Sequence, residues 1–394
     1  MLTAGQPGER LAGEEMRLTQ DRLEAKSGWC CWRPVWVLAA ALCMSGTWAA
    51  EPSALDLARA TVEQASRPTP KWSGPTAGPA AVPGKVVAVL AEDLRNGGVL
   101  SVAQGIREAA KEIGWVVRVH DAGGTAAGRK RALAEALAGK PDGLAICGSD
   151  AYELLSVLRE HGDKLPPVVG WHAAADAGPI QGTPVATNVT TDPLAVARTT
   201  ALSAVVQSGG RAGVVVFTDS RFRIAMTKAE AMAEVIRRCA DCVLLEVRDV
   251  AISDSASRMP GVTRELFSRH GARWTHALAI NDIYFDYAVP TLMSLGVSNS
   301  ALSLLSAGDG SASAFMRIRA GSYQTGTVAE PLNLQGWQVV DELNRLMHGQ
   351  GVSGFTAPVH LITSANIATE GGSRQVYDPA NGYREAYLRI WKAR

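Results

Sequence analysis

Six apolar runs of the chain each end in polar side chains and are followed by a helix-like stretch. The runs are KVVAVLAED (85–93), DGLAICGSD (142–150), PPVVGWHA (166–173), RAGVVVFTDS (211–220), HALAIND (276–282) and LSLLSAGDG (302–310). Near-continuous apolar runs of this length are typical of strands buried on both faces of a parallel sheet. Their alternation with helical stretches predicts an α/β fold.

The polar residues at the ends of these runs predict a ligand site. In open α/β sheets, ligands bind beyond the carboxyl ends of the strands. The residues at those ends are Asp93, Asp150, His172, Asp219, Asn281, Asp282 and Asp309. Side chains alternate in direction along a strand, so we expect only one of Glu92 and Asp93 to face the site.

Length and composition fit a soluble globular protein of two domains. The chain has 394 residues, 47% hydrophobic and 20% charged residues, and a formal net charge of +1. Nucleic-acid-binding proteins usually carry a basic patch, which this sequence lacks. No apolar run reaches the ~20 residues of a membrane span.

Residues 33–50 (RPVWVLAAALCMSGTWAA) have the features of a secretory signal peptide. A positive residue precedes a short apolar core, and small residues follow it near Ala49 and Ala50. Translation from Met16 would shorten the polar stretch before it. A buried core helix is the alternative, but the segment stands outside the repeating units. The segment therefore predicts export to the periplasm.

Cys239 and Cys242 form a CxxC motif at the end of a predicted helix. A redox CxxC normally opens a helix, where the helix dipole lowers the thiol pKa. One such motif without further Cys or His is also a poor zinc site. We therefore expect a local structural disulfide, and we predict neither a metal nor a cofactor.

The order of the predicted elements divides the chain into two successive β/α halves, with late elements that return to the first. This predicts two doubly wound parallel-sheet lobes joined by a multi-strand hinge around a cleft. The predicted segments are a signal peptide with an N-terminal extension (1–50), a flexible lead-in (51–84), an N-terminal lobe (85–189 plus 331–357), a C-terminal lobe (190–330 plus 358–375) and a C-terminal helix (376–394).

From about Lys85 to Thr363 this pattern resembles the type I periplasmic solute-binding proteins, the ribose-binding-protein-like family of sugar ABC transporters. The segments that carry the resemblance are VLAEDLRNGG (89–98), PPVVGWHA (166–173), HALAIND (276–282), LLSAGDG (304–310) and TGTVAEP (325–331). The resemblance implies a type I periplasmic binding protein fold and a small ligand held between the lobes.

The resemblance also implies roles for individual residues. Asn96 and Asn281 match ligand-binding asparagines, Asp309 matches a hydroxyl acceptor, and Glu330 stands where the family often has Gln. His172 and Ala173 replace the usual Asp-Arg pair, and Gly98 and Val99 replace an aromatic pair. The expected arginine falls near Met226, with Arg221 and Arg223 just before it. The predicted ligand-binding residues are Asp93, Asn96, Trp171, His172, Arg223, Asn281, Asp309 and Glu330.

Each of these residues also has a structural interpretation. Asp309 and Asn281-Asp282 precede predicted helices and are suitable caps, and Asn96-Gly97 is a turn signal. Glu330 precedes a proline and is a suitable hinge position. Tyr284 and Phe222, like Trp171, are aromatic candidates for stacking on a sugar ring.

The sequence contains no P-loop, GxSxG, HExxH or well-placed GxGxxG motif, so we predict no enzymatic activity. A repressor with this core would need a helix-turn-helix where the apolar segment stands. We expect an exported protein that delivers a sugar-like solute to an inner-membrane ABC permease. The alternative is a periplasmic sensor that docks to a membrane histidine kinase or chemoreceptor.

Overall fold

The computed structural model describes residues 53–371 and 374–393. The predicted export segment lies outside these residues. Within them, no helix combines the length and the apolar character needed to cross a membrane.

Parallel strands and helices alternate through most of the described chain. The first elements are α1 (Ala54–Ala65), β1 (Val86–Ala91), α2 (Gly97–Glu112), β2 (Val116–Asp121), α3 (Ala126–Ala138), β3 (Gly143–Cys147), α4 (Leu155–His161), β4 (Val168–Trp171) and β5 (Val185–Val189). The remaining elements are α5 (Pro193–Gln207), β6 (Gly213–Thr218), α6 (Arg223–Arg238), β7 (Val243–Asp249), α7 (Ser255–His270), β8 (His276–Ala279), α8 (Ile283–Ser294), β9 (Ser303–Ser306), α9 (Ala312–Ala320), β10 (Gln324–Ala329), α10 (Leu332–Met347), β11 (His360–Thr363), α11 (Ile367–Glu370) and α12 (Tyr383–Trp391).

The strands form two sheets with the same winding. The first has the order β2-β1-β3-β4-β5, and the second has the order β11-β10-β9-β8-β6-β7. Neighbours are parallel except β11, which runs antiparallel to β10. We call the two sheets, with the helices packed on them, the first and the second lobe. The predicted fold class of two doubly wound parallel-sheet lobes is confirmed.

Burial separates the central strands of each sheet from the strand at one of its two edges. The central strands β3, β4, β6 and β8 are buried along their whole length. The edge strands β2 and β7 contain no buried residue. This is why the six continuous apolar runs correspond to β1, β3, β4, β6, β8 and β9, which all lie inside the sheets.

The chain passes between the lobes at several places. It leaves the first sheet after β5 for α5, which packs on the second sheet, and it returns after β10 in α10, which packs on α2 and β4. It then crosses back to β11 in the second sheet. These crossings form a hinge between two bodies of similar construction.

Both terminal segments of the described chain are packed against the fold. Helix α1 contacts α5 and β11, whereas α12 contacts α10. In the segment after α1, the ring of Trp72 has its centre 4.8 Å from that of the Phe355 ring. The backbone amide of Trp72 donates to the Asn381 carbonyl at 3.0 Å. The expectation of a flexible lead-in over 51–84 therefore fails at Trp72, because burying this aromatic surface outweighs the turn-forming composition of the segment.

Two helix starts show how local sequence and packing set helix bounds. Asp192 caps α5, since its carboxylate accepts from the amides of Leu194 and Ala195 and Pro193 is the first helical residue. Helix α7 begins at Ser255, so Pro260 lies inside it. The buried face that includes Met259 and Leu266 accounts for this, because packing of an apolar face outweighs one lost backbone hydrogen bond.

Candidate functional site

A cavity of about 60 Å³ lies between the lobes, at the carboxyl ends of the strands of both sheets. Its polar lining side chains are those of Glu92, Asp93, Asn96, His172, Arg221, Lys228, Ser253, Asn281 and Asp309. Its apolar lining is formed by Val99, Trp171, Phe222, Ile224, Ala225, Ile252 and Ile280, with Gly124 and Gly148 completing the wall. Both lobes therefore contribute to one partly apolar, partly polar site.

Six of the predicted ligand-binding residues line this cavity. They are Asp93, Asn96, Trp171, His172, Asn281 and Asp309. Glu92 lines it as well, so the expectation that only one of Glu92 and Asp93 faces the cleft is wrong. Strand β1 ends at Ala91, and the strict alternation of side chains ends with it.

Two predicted residues lie outside the cavity lining. Arg223 is exposed, with its Nε 3.6 Å from Asp150 Oδ2 and its guanidinium 4.2 Å from the centre of the Tyr152 ring. Asp150 lies after β3 in the first lobe, so this contact links the two lobes at their surface. Glu330 is buried behind His172 and forms no part of the cavity wall.

Asn281 and Asp309 are joined across adjacent strand ends of the second lobe. Asn281 Nδ2 donates to Asp309 Oδ2 at 2.8 Å and, more weakly, to Asn96 Oδ1 of the first lobe at 3.4 Å. Asn281 Oδ1 accepts from the Ile283 amide at 3.0 Å, and Asn96 Oδ1 accepts from the Gly98 amide at 3.0 Å. Asn96 thus caps α2, Asn281 accepts from the amide of the first residue of α8, and both line the cavity.

Asp309 does not cap the helix that comes after it. The cap of α9 is Ser311, whose hydroxyl accepts from the Ala314 amide. The carboxylate of Asp282 instead accepts from the amides of Gly310 and Ser311 at 2.8 and 3.0 Å, and so holds the loop that carries Asp309. This leaves the Asp309 carboxylate facing the cavity, where burial raises its pKa to about 6 despite the nearby His172 and Lys228 charges.

His172 occupies a rare backbone conformation at the end of β4. Its φ is +50°, and its ring stacks on Trp171 with 3.9 Å between ring centres and an angle of 8°. Trp171 is fixed in turn by a 2.7 Å hydrogen bond from its Nε1 to Gln335 Oε1. Non-glycine residues with positive φ persist where their surroundings hold them, often at functional sites. The arrangement turns the His172 imidazole toward the hinge.

Glu330, on the crossing from β10 to α10, contacts both lobes. Its Oε1 lies 2.9 Å from His172 Nε2 and 3.6 Å from Lys228 Nζ, and its Oε2 accepts from Gln335 Nε2 at 2.7 Å. Burial alone would raise the pKa of Glu330, but the charges of His172 and Lys228 outweigh it and hold that pKa well below its usual range. Glu330 is thus a buried charged group whose Oε1 forms ion pairs with His172 and Lys228 and whose Oε2 accepts hydrogen bonds from Gln335 and the Thr191 amide.

Lys228 is a cavity residue that the sequence interpretation missed. It lies on α6 and is only 3% exposed, and its Nζ donates to the Ala307 carbonyl at 2.9 Å. Lys228 shares one face of α6 with the buried residues Ala225 and Met232. This spacing in the sequence is the pattern that would have identified Lys228 as buried. A lysine on the apolar face of an amphipathic helix is rarely buried without a partner.

Most other charges around the cavity are paired within the protein. Glu92 accepts from Arg129 at 2.7 Å and from the Ser149 hydroxyl at 2.6 Å. Arg95 forms an ion pair with Asp93 at 2.6 Å. Arg221 forms an ion pair with Asp219, also at 2.6 Å. Such pairs satisfy buried carboxylates without a ligand.

The aromatic candidates divide between cavity and core. Phe222 and Trp171 both line the cavity. Tyr284 is fully buried, packs on Phe217 with ring centres 5.8 Å apart, and donates its hydroxyl to the Val250 carbonyl. Tyr284 is therefore a core residue, and Phe222 is the aromatic face available to a solute.

One group of possible metal ligands occurs among the described residues. Ligand atoms of His172, Asp309 and Glu330 all lie within 4.8 Å of one another. The ammonium of Lys228, 3.6 Å from Glu330, already supplies positive charge there. That charge would oppose a divalent cation, so the arrangement fits a network of ion pairs better than a metal site.

The three cysteines within the described residues are not part of the cavity lining. Cys239 and Cys242 form a disulfide between the end of α6 and the start of β7. Cys147 is a free, buried cysteine of β3, and burial raises the pKa of its thiol to about 12. A thiol of that kind is unreactive at neutral pH.

Comparisons with known proteins agree with this architecture. A family model described as the periplasmic binding protein domain matches residues 87–351, which is more than half of the chain. A search of curated proteins found no match.

Solved structures of several solute-binding proteins are similar in fold. One is an ABC sugar transporter subunit from Rhodobacter sphaeroides 2.4.1, with 21% identity, a TM-score of 0.61 and coverage of 73% of this chain and 100% of that one. Another is an ABC transporter solute-binding protein from Agrobacterium vitis with bound allitol, with 18% identity, a TM-score of 0.62 and coverage of 73% and 98%. A third is the XylFII-LytSN complex, with 14% identity, a TM-score of 0.61 and coverage of 72% and 99%.

At these identities the solved structures establish the fold, while the match over residues 87–351 establishes the family. Two parallel-sheet lobes, a hinge of several crossings and a cavity at the facing strand ends are the features of this chain that agree with that assignment. The chain belongs to the periplasmic binding protein domain family, and it is a type I periplasmic binding protein.

Proposed function

We propose that this protein captures a small, sugar-like polyhydroxylated solute between its lobes and delivers it to an ABC permease of the inner membrane. The observation that carries the proposal is the convergence of Asn96 and His172 from the first lobe with Asn281 and Asp309 from the second on one cavity. Carboxylates accept several hydroxyl hydrogen bonds, and asparagine both donates and accepts. Phe222 adds an apolar face of the kind on which sugar rings stack.

Ligand binding would favour the closed arrangement of the lobes. A solute that touches both lobes gains its full set of contacts only when they are together, so binding shifts the open–closed equilibrium toward closure. Each polar group left unmatched in a desolvated cleft costs about 1–3 kcal/mol, which gives such a site its selectivity. The closed form is then the one that a permease would recognise.

A thermal-shift screen of the purified protein against sugars and polyols tests the proposal. A compound present at 100 times its dissociation constant stabilises the folded state by about 2.7 kcal/mol. We expect Asp309→Ala and Asn281→Ala to lose this shift while remaining folded. Asp163→Ala and Asn299→Ala, at exposed positions, are the matched controls and should keep it. Retention of the full shift in both cavity variants would reject the site.

The periplasm is the compartment that this function requires. The sequence of residues 33–50 supports it, because it has the charge, apolar core and small residues of a cleaved signal. Mass spectrometry of the protein from the periplasmic fraction should give a chain that begins near residue 50. An intact N-terminus recovered from the cytoplasm would contradict this placement.

A second candidate function is sensing. One of the similar structures is the XylFII-LytSN complex, so a protein of this fold does assemble with a second component. In this role the loaded protein would dock to a membrane histidine kinase or chemoreceptor rather than to a permease. Deleting the gene separates the two: transport predicts lost uptake of the labelled solute, whereas sensing predicts unchanged uptake and a lost transcriptional or chemotactic response.

A further inference from the structure

The segment that precedes β1 contacts both lobes, and we call its residues 53–82 the strap. Helix α1 packs on α5 and β11 of the second lobe, and its Ala65 belongs to the buried core of that lobe. Just after α1, the Ser66 carbonyl accepts from Asn366 Nδ2, beyond the end of β11, at 3.2 Å. These contacts fasten the first end of the strap to the second lobe.

The other end of the strap is fastened to the first lobe and to helix α12, which packs on it. The Trp72 ring has its centre 4.8 Å from that of the Phe355 ring and 5.3 Å from that of the Tyr387 ring. Backbone groups of the strap add hydrogen bonds of 2.6 to 2.9 Å, in which the carbonyls of Ala77, Pro79 and Val82 accept from the side chains of Arg345, Asn344 and Trp115, and the Ala81 amide donates to the Trp391 carbonyl. This end cannot move with the second lobe unless these contacts break.

Residues 67–71 (RPTPK) are the span between the two fastened ends. A span of this length reaches at most about 20 Å when fully extended. Pro68 and Pro70 fix their own φ angles and hold the residues before them in extended conformations. The Thr69 hydroxyl is hydrogen-bonded to the hydroxyl of Tyr377, a residue of a buried cluster in the second lobe, at 2.7 Å. The span is therefore short and stiff, with little freedom to lengthen.

The span lies against the hinge. It lines one small cavity together with two of the crossings between the lobes, and that lining includes Thr69 and Pro70 of the span and Pro331 and Pro358 of the crossings. The strap precedes residues 87–351, the part of the chain that the family model matches. The hinge of this chain is thus accompanied by a segment that lies outside the family match.

We propose that the strap limits how far the two lobes open. Opening turns one lobe against the other about the hinge, so a segment fastened to both lobes must stretch, bend or detach. The span of residues 67–71 resists stretching, and detachment at Trp72 would expose buried aromatic surface to water. The unliganded protein is therefore kept near the closed arrangement, which reduces the binding free energy that a solute loses to closure.

Double electron–electron resonance between two spin labels, one on each lobe, measures the opening in the protein without ligand. The labels are attached at Ser156→Cys on α4 and Ala256→Cys on α7, both of which are exposed positions. The native cysteines of the described chain do not take up label, because Cys239 and Cys242 are joined in a disulfide and Cys147 is buried. The measurement needs no solute, so its outcome is independent of the proposed function.

The test variant carries a Gly-Ser-Gly-Ser insertion after Pro70, which leaves the contacts of both fastened ends in place and adds up to about 13 Å of reach. We expect its label separations to extend several ångströms beyond those of the wild type. Trp72→Ala, which releases the first-lobe end, should shift the separations in the same direction. The matched control carries the same insertion after Asn299, in an exposed loop between α8 and β9 of the second lobe, and should give the wild-type distribution.

Urea unfolding shows which variants are folded, and Trp72→Ala serves as the test if the insertion after Pro70 prevents folding. Identical distributions for the wild type and the folded test variant would overturn the proposal, since the length or the attachment of the strap would then have no influence on opening. An equal shift in the control after Asn299 would also overturn it, because the change would not depend on the strap.

Discussion

The corners after β1 in the first lobe and after β6 in the second lobe are built from the same pair of side chains. In Asp93-Leu94-Arg95, the aspartate accepts from the Arg95 amide, Nε and Nη2 at 3.0, 2.9 and 2.6 Å. In Asp219-Ser220-Arg221, the corresponding distances are 3.1, 2.9 and 2.6 Å. The two lobes thus repeat a side-chain arrangement as well as a strand order.

A second aspartate completes each corner from the neighbouring edge strand. The Leu94 amide donates to Asp121 at the end of β2 at 3.3 Å, and the Ser220 amide donates to Asp249 at the end of β7 at 2.9 Å. Both corners therefore hold their loops with carboxylates that are bonded inside the protein. These repeated carboxylates build the frame of the cleft.

The corners differ in their burial and in the residues that the chain adds after each of them. The Arg95 side chain is 62% exposed and that of Arg221 is 40% exposed, and Asp219 also accepts from the Ile252 amide at 2.8 Å. After the first corner the chain continues with the Asn96 cap, and after the second it continues with Phe222 and the helix that carries Lys228. The repeated residues therefore form the scaffold and place Asp93 and Arg221 at the cavity wall, while the residues that differ add Asn96, Phe222 and Lys228 to that wall.

Removing each corner aspartate in turn should lower the stability of the fold by unequal amounts. Asp219→Ala leaves Arg221 and the Ile252 amide without their partner, and we expect a loss of about 3 kcal/mol in the free energy of unfolding. Asp93→Ala frees a mostly exposed Arg95, and we expect about 1 kcal/mol. Urea unfolding measures both. Equal losses would mean that the greater burial of the second corner has no energetic consequence.

The fold was predictable because continuous apolar runs indicate the inner strands of parallel sheets. The runs at β1, β3, β4, β6, β8 and β9 mark the strands, and the polar residues after them mark the edge where the lobes face each other. The composition of 51–84 was misleading at Trp72, because the aromatic partners of that residue, such as Phe355, come from distant parts of the sequence. Local patterns cannot reveal such packing.

The site was predictable where its residues come directly after strands. Asn281 and Asp309 were found in this way and are hydrogen-bonded neighbours. Lys228 was missed because it lies on a helix, where only its buried face distinguishes it from a solvated lysine. Arg223 was placed in the cleft by its position near the expected arginine, but the helix directs it toward Asp150 and Tyr152.

A second prediction contrasts the paired corner carboxylates with Asp309. Burial raises the pKa of Asp309 to about 6, with His172 and Lys228 opposing the shift and Glu330 and Asp282 reinforcing it. Between pH 4 and pH 6 the folded state then binds more protons at Asp309 than the unfolded state does. Stability therefore falls as pH rises through this window, and Asp309→Asn removes the fall.

We expect the stability of the wild type relative to Asp309→Asn to decrease by about 2 kcal/mol from pH 4 to pH 7. Thermal or urea unfolding across this range measures the difference. The other groups of the cluster, including Glu330 with its lowered pKa, are present in both proteins and contribute similarly to both curves. The exposed Asp163→Asn variant is the control and should run parallel to the wild type. Parallel curves for Asp309→Asn as well would contradict the raised pKa.

A third prediction concerns the start of α2, which has no counterpart at the start of α6. A Cβ placed on Gly98 would lie 2.0 Å from Asp309 Oδ2 and 2.8 Å from Asp309 Cβ. Gly98→Val should therefore push Asp309 and the two lobes apart, with a loss of about 1–2 kcal/mol by overpacking and faster hydrogen exchange around residues 96–99. Gly261→Ala on α7, whose Cβ would meet nothing within 4 Å, is the control. It should be neutral or slightly stabilising. Unchanged exchange in Gly98→Val would show that the lobes do not need this close approach.

Arg223→Ala should change ligand binding only slightly, and it tests whether the surface contact between the lobes matters for binding. The Arg223 side chain is 63% exposed, and its Nε lies 3.6 Å from Asp150 Oδ2, so screening by water leaves the pair weak. Its position over the Tyr152 ring adds a similarly small attraction. Together these contacts are worth less than about 1 kcal/mol, which corresponds to a change in affinity of at most about fivefold for a neutral polyol. Titration calorimetry beside Asp309→Ala measures the contrast: a loss of affinity at Arg223 as large as that at Asp309 would place the ligand-binding surface at the rim of the cleft rather than in the buried cavity.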